Sequence, residues 1–102
     1  MTEKKTYYAV IFTSKQTVNT NGYHDMSNYM ETLAKKQKGF ISMDSVRNNI
    51  GITVSYWETL EDIKNWKYQS DHLKAQEKGK RDWYSWYHVR ICKVEHEYEF
   101  GL

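Results

Sequence analysis

The chain contains no proline, a single cysteine and only five glycines, and it has no long apolar run. Each scarcity excludes something. Without proline there is no slow X-Pro isomerisation and no proline-rich linker. One cysteine, Cys92, cannot form an internal disulfide, so a reducing compartment is expected. No segment approaches the ~20 apolar residues of a membrane span. The first residues, "MTEKK", lead into no long apolar segment and are not expected to be a signal peptide. The expectation is a cytoplasmic protein with no membrane partner.

Charge of one sign is also scarce. Fifteen basic and thirteen acidic side chains leave a net charge of +2. A nucleic-acid partner is not expected, because such domains carry a strong basic stripe. The local run Lys74, Lys78, Lys80 and Arg81 reads as a solvated helix face whose last turn offsets the helix dipole.

Aromatic residues, by contrast, are plentiful. They make up 16% of the 102 residues, with nine tyrosines and four tryptophans. These side chains have apolar bodies and polar tips, which suit interfaces and half-wet pockets. At this length a single domain, 1–102, is expected. It would bury about 60–70% of the surface that its unfolded chain exposes.

Periodicity gives the elements. "TYYAVIFT", Thr6 to Thr13, is β-branched and aromatic and reads as a strand. "SKQTVNTNG", Ser14 to Gly22, reads as a loop. Met26, Met30, Leu33 and Ala34 recur on one helical face between Tyr23 and Gln37, and Gly39 stands where a C-cap glycine is expected. "FISMDSVR" and "ITVSYW" read as strands, joined into a hairpin by "RNNIG", whose asparagines and Gly51 tolerate left-handed backbone.

After Trp57 the period changes. Thr59 and Asp62 approximate a capping box, and Leu60, Ile63 and Trp66 follow at helical spacing. A second helical piece runs from Ser70 to Lys78 and stops near Gly79. A last strand is expected from Trp83 to Phe100. Its Tyr87, Val89 and Ile91 share one face; Trp86, His88, Arg90, Cys92 and Val94 share the other. The order βαββαβ predicts an α+β, ferredoxin-like fold: a four-stranded antiparallel sheet with helices on one face.

The first strand has no polar side. Tyr8, Val10 and Phe12 point one way, and Tyr7, Ala9 and Ile11 the other. Helices cover one face of such a sheet, so something else must cover the second. A second copy of the chain is the simplest cover, and a homodimer is expected. Polar pairs complicate the sheet: Ser42 with Asp44, Thr53 with Ser55, His88 with Arg90. Under the helices they would line a pocket; on the other side they would meet the partner.

Together, "GFISMDSVR", "ITVSYWETLEDIKNW", "HLKAQEKGKRDWY" and "YHVRICKVEHEY" resemble the antibiotic biosynthesis monooxygenase domain family, from about Tyr7 to Tyr98. The resemblance implies the dimeric α+β barrel fold. Some members oxidise anthrones or quinols with molecular oxygen and no cofactor; others bind and degrade haem. The haem-degrading pattern would place an Asn on the first strand and a His ten residues after Trp66. This chain reads "AVIFTS" on that strand and has Gln76 at that position, so the ligand pattern is broken and no cofactor is expected. Where the quinol-oxidising members carry an Asn before the Trp and a Tyr six residues after it, this chain has Asp62 and His72.

The resulting expectation is a cofactor-independent monooxygenase acting on a small aromatic quinol- or anthrone-like molecule. His72 or His88 would be the base, Arg90 the anion stabiliser, and Trp66, Tyr87 and Asp62 the substrate contacts. The alternative is a non-catalytic or haem-binding barrel. Each residue also has a plainer role. Trp66 could be helix core, and His72 a solvated histidine. His88 and Arg90 could pair with Asp44. His24 and His96 read as solvated and Cys92 as a small buried hydrophobe. The histidines lack metal-ligand spacing, so no metal is expected.

Overall fold

A computed structural model of the chain describes residues 6–101; the "MTEKK" segment lies outside the described residues. The order is β1 (Tyr7–Gln16), α1 (Tyr23–Lys35), β2 (Phe40–Asn48), β3 (Ile50–Trp57), α2 (Leu60–Lys67), α3 (Ser70–Lys78) and β4 (Tyr84–Val94). A π-helical turn, Gly79–Trp83, joins α3 to β4. The strands pair antiparallel in the spatial order β2-β3-β1-β4. This is the expected α+β ferredoxin-like arrangement, with the second crossover divided into two helices. Among the described residues, no helix is long and apolar enough to cross a membrane.

The ends of β1 and β4 and the hairpin differ from expectation, each for a physical reason. β1 continues through Ser14 to Gln16, because β4 pairs with it as far as Tyr84. β4 ends at Val94 rather than Phe100: Val94 pairs with Tyr7, where β1 begins, and β1 has nothing further to pair with. α3 ends at Lys78 with Gly79 as its C-cap, as expected, although the backbone continues through Gly79 in right-handed helical geometry, at φ −60°, into the π-helical turn. In the hairpin the left-handed residue is Asn49, at φ 64°. Gly51 lies instead within β3, opposite Arg47.

Gly39 is not the cap of α1, which closes at Lys36. Its φ of +85° turns the chain into β2, and its bare Cα admits the Asp62 carboxylate. A Cβ at this position would sit 2.0 Å from Asp62 Oδ2. Asp62 is buried; its backbone N–H donates to Thr59 Oγ1 at 3.0 Å, and its carboxylate accepts from the same hydroxyl at 2.7 Å. The predicted cap is therefore present, with a stabilisation of about 1 kcal/mol typical of such residues. Asp62 serves this joint and does not face the cavity described below, so the expected substrate contact is corrected.

The core is small and centred on Trp57, which is 0% exposed at the end of β3. Its Nε1 donates to Ser55 Oγ at 2.9 Å, and Phe40 packs edge-on against it at 5.4 Å. Ile63, Ala34 and Trp83 bury around the same sheet face.

Candidate functional site

Side chains alternate across a strand, and the pairing register carries that alternation from strand to strand. One row joins Met43, Ser55, Val10 and Ile91; the next joins Ser45, Thr53, Phe12 and Val89. Both rows face the helices. Between sheet and helices lies a cavity of about 400 Å³, within the range of small-molecule sites. α1 contributes Met26 and Met30, α2 Trp66, and α3 His72 and Gln76.

The same register decides the fate of the predicted residues. Trp66, Tyr87 and His72 line the cavity. His88 and Arg90 pair with Thr13 and Ile11 on the opposite face, exposed, together with Ser42, Asp44 and Cys92. The expected cluster of His72, His88 and Arg90 therefore does not form, since residues one position away from Tyr87 and Val89 must point away from them. The polar pairs separate in the same way: Thr53 and Ser55 turn toward the cavity, the others away. Cys92 is exposed rather than buried. His24 and His96 are exposed.

Trp66 and His72 are brought together by a break in the helix. α2 ends at Lys67 and α3 starts at Ser70, capped by Gln69, whose side chain accepts from the His72 backbone N–H at 3.0 Å. On one continuous helix, six residues would place the two on different faces. The break folds α3 back, and the imidazole stacks on the Trp66 indole with centroids 4.1 Å apart and planes 16° apart. Trp66 in turn lies 6.1 Å from Trp57 at 25°. The three rings form a column from the core to the cavity.

The protonation of His72 follows from its partner. Nδ1 lies 2.8 Å from the Trp66 carbonyl oxygen, which can only accept. Nδ1 therefore carries the hydrogen and leaves Nε2 as a lone-pair acceptor. Burial pushes the imidazole below its ordinary value of 6.5, and the carbonyl contact only partly opposes this. The ring is neutral at pH 7. It can receive a proton, and no carboxylate among the described residues holds one on it.

The opposite end of the cavity is phenolic. Phe12 stacks on Tyr87 at 5.2 Å and meets Tyr84 edge-on at 5.5 Å; Tyr84 packs against Tyr23 at 5.8 Å. Strand parity alone would send Tyr84 outward with Trp86. A bulge at Ser85 of β4, opposite the step from Lys15 to Gln16, shifts the register so that Tyr84 faces Gln16 and its ring turns inward. Tyr84 Oη donates to Tyr23 Oη at 3.4 Å. Burial drives the Tyr84 phenol well above its ordinary value, so it remains a neutral donor. Parity hides Tyr84 from a reading of the sequence, and Arg47 is hidden there among the turn residues. The signal for Arg47 is Gly51, a glycine opposite a long side chain in the hairpin.

Among the described residues, no group of three or more His, Cys, Asp or Glu side chains could hold a metal ion. Gln76 does line the cavity, but a carboxamide is a far poorer iron ligand than imidazole.

No protein-family model matches the sequence. The uncharacterised protein YqjZ of Bacillus subtilis (strain 168) is 42% identical over 98 residues, which cover 94% of this chain and 86% of YqjZ. Similar solved structures include a Nitrosomonas europaea protein described as a candidate antibiotic biosynthesis monooxygenase, at a TM-score of 0.75 and 12% identity, covering 94% of this chain and 96% of that one. SnoaB, a cofactor-independent oxygenase from Streptomyces nogalater, matches at a TM-score of 0.69 and 9% identity, covering 97% and 100%. A third, SO0527 from Shewanella oneidensis, matches at a TM-score of 0.78 and 6% identity, covering 89% and 93%. The chain thus belongs to the same family as YqjZ, and its fold is that of the antibiotic biosynthesis monooxygenase-like proteins.

Proposed function

We propose that the protein is a cofactor-independent monooxygenase that oxidises a small aromatic quinol- or anthrone-like substrate with molecular oxygen, in the cavity between sheet and helices. The observation that carries this reading is the His72–Trp66 stack, a half-buried neutral base with an open Nε2 on an aromatic wall. The oxygenase description of SnoaB, which shares the fold, supports it.

The chemistry follows from the base. Nε2 takes a proton from the substrate, whose electron-rich anion passes one electron to O2. The radical pair recombines through a new C–O bond. Loss of water from the hydroperoxide then turns a CH2 into a carbonyl, so that one oxygen atom stays in the product and the other leaves as water. Trp66 and Tyr87 hold the planar ring and exclude water, which strengthens every polar contact inside.

The working unit we propose is a cytoplasmic homodimer. The opposite sheet face exposes Val46 (70%) and Ile52 (41%), and Tyr98 and Phe100 project beyond β4 almost fully exposed. A second copy would cover these together with Cys92, His88 and Arg90. Sedimentation at micromolar concentration is expected to show twice the chain mass. The activity test is oxygen uptake with a panel of hydroquinones and anthrones. Uptake and carbonyl product above the spontaneous rate are expected for at least one; no enzyme-dependent uptake with any would overturn the proposal.

A further inference from the structure

Arg47 raises a question that the proposed oxygenase site leaves open. It lies on β2 in the row that faces the helices, opposite Gly51 and close to Ser14. Its guanidinium donates to Ser14 Oγ at 2.5 Å and, less closely, to Ser14 O at 3.4 Å. A Cβ on Gly51 would fall 2.2 Å from Arg47 Cζ, so the side chain lies flat against bare backbone. Its Cζ stands 5.8 Å from the centre of the Tyr23 ring.

Arginine is always charged, and a half-buried charge is ordinarily paired. None of the ion pairs among the described residues involves Arg47. Both of its hydrogen bonds go to Ser14, which carries no charge. The groups facing the neighbouring Tyr84 hydroxyl are Tyr23 from α1, Tyr87 from the same strand and Arg47 itself. A positive charge thus stands behind two phenols, and among the described residues it has no counter-anion.

The phenols are ordered as a relay. Tyr84 donates to Tyr23, which leaves the Tyr23 hydrogen free to donate onward. Both rings line the cavity. Gly51 and Trp57 sit on one face of β3, about six residues and about 20 Å apart. The Arg47–Tyr23–Tyr84 group is therefore at the far end of the cavity from the Trp57–Trp66–His72 column.

We propose that Arg47, acting through the Tyr84–Tyr23 hydroxyl pair, makes this end of the cavity a seat for the oxyanion of an aromatic ligand. The inference rests on the cavity being the ligand site and extends the proposed function to a substrate class: hydroxyaromatic molecules bound with one ring oxygen negatively charged, spanning from the phenolic end toward His72. Arg47 is a positioning residue here. Tyr23 supplies the contact, and the cation keeps charge on the ligand favourable in a site that excludes water.

The test uses oxidised dyes that consume no oxygen, so its result is independent of turnover. Alizarin, whose phenol and phenolate differ in colour, is titrated with pH in the presence of the protein; 9,10-anthraquinone, of the same shape without an ionisable group, is the control. In wild type, bound alizarin is expected to ionise at a lower pH than free alizarin. Arg47→Gln is expected to weaken binding of the phenolate by about tenfold or more, which moves that ionisation up by about one unit or more. Arg47→Lys should restore part of the shift. Tyr23→Phe, which removes one oxygen and disturbs the fold least, should lose it as Arg47→Gln does. Anthraquinone affinity should be equal in all four proteins.

An unchanged alizarin shift in Arg47→Gln or Tyr23→Phe would overturn the inference, as would equal loss of both dyes or no preference for the phenolate in wild type. If the shift depends on Arg47 while no quinol is oxidised, the oxyanion seat stands and the oxygenase reading falls. If quinols are oxidised and the shift is absent, the reverse holds.

Discussion

Trp57→Ala is expected to cost about 3–5 kcal/mol, the range for truncating a large buried aromatic. Domains of this size are stable by about 5–15 kcal/mol in total, so the variant should be close to unfolding at ambient temperature. The reason is position as much as size. Trp57 is wholly buried, stacks on Trp66, meets Phe40 edge-on and donates to the otherwise buried Ser55 hydroxyl. Its removal takes the floor from the ring column and orphans a polar atom. At about 4–8 °C per kcal/mol for domains of 60–100 residues, thermal unfolding should shift by more than 10 °C. Trp57→Phe should lose less, because most of the volume and both ring contacts remain. A fall in stability below about 1 kcal/mol for Trp57→Ala would contradict the packing described here.

His72→Ala is expected to lower the oxygenation rate by about 10²–10⁴-fold, the usual contribution of a positioned general base. Binding of an unreactive planar analogue should change far less, since Trp66 and Tyr87 remain. Added imidazole should recover part of the rate. The pH dependence has a definite sign. Burial lowers the folded-state pKa of His72 below its unfolded value of 6.5. Between the two values the unfolded chain binds more protons, so stability rises with pH through that window and the gain is complete above about pH 6.5. Urea unfolding midpoints at about pH 5 and about pH 7.5, on either side of that window, should differ more in wild type than in His72→Gln. The acid limb of the rate profile should likewise lie below pH 6.5. Equal pH sensitivity in the two proteins would remove His72 from both roles.

Much of this arrangement is legible in the residue order. Period-two runs in β1 and β3, helical spacing at Leu60, Ile63 and Trp66, and the Thr59–Asp62 cap all reappear in the fold, because each is decided by local geometry. The parts that escape depend on tertiary events. The position of His72 requires the break at Tyr68 and Gln69 to fold α3 back onto Trp66. Tyr84 requires a bulge at Ser85, beside it in β4. Arg90 and His88 can be paired with each other from sequence, but the side of the sheet they occupy is decided by where the helices pack. Distance from Trp66 in the sequence suggests a pocket role for Asp62, whereas its place is fixed by the space at Gly39.

The central claim is that the working site is the cavity under the helices, with His72 as its base. A crystal structure of the protein with a hydroxyanthraquinone tests it most directly. The account predicts the planar ligand between Trp66 and Tyr87, with a substrate oxygen or acidic carbon within reach of His72 Nε2. A ligand bound at the opposite sheet face, beside His88 and Arg90, or a cavity left empty at saturating ligand, would contradict it.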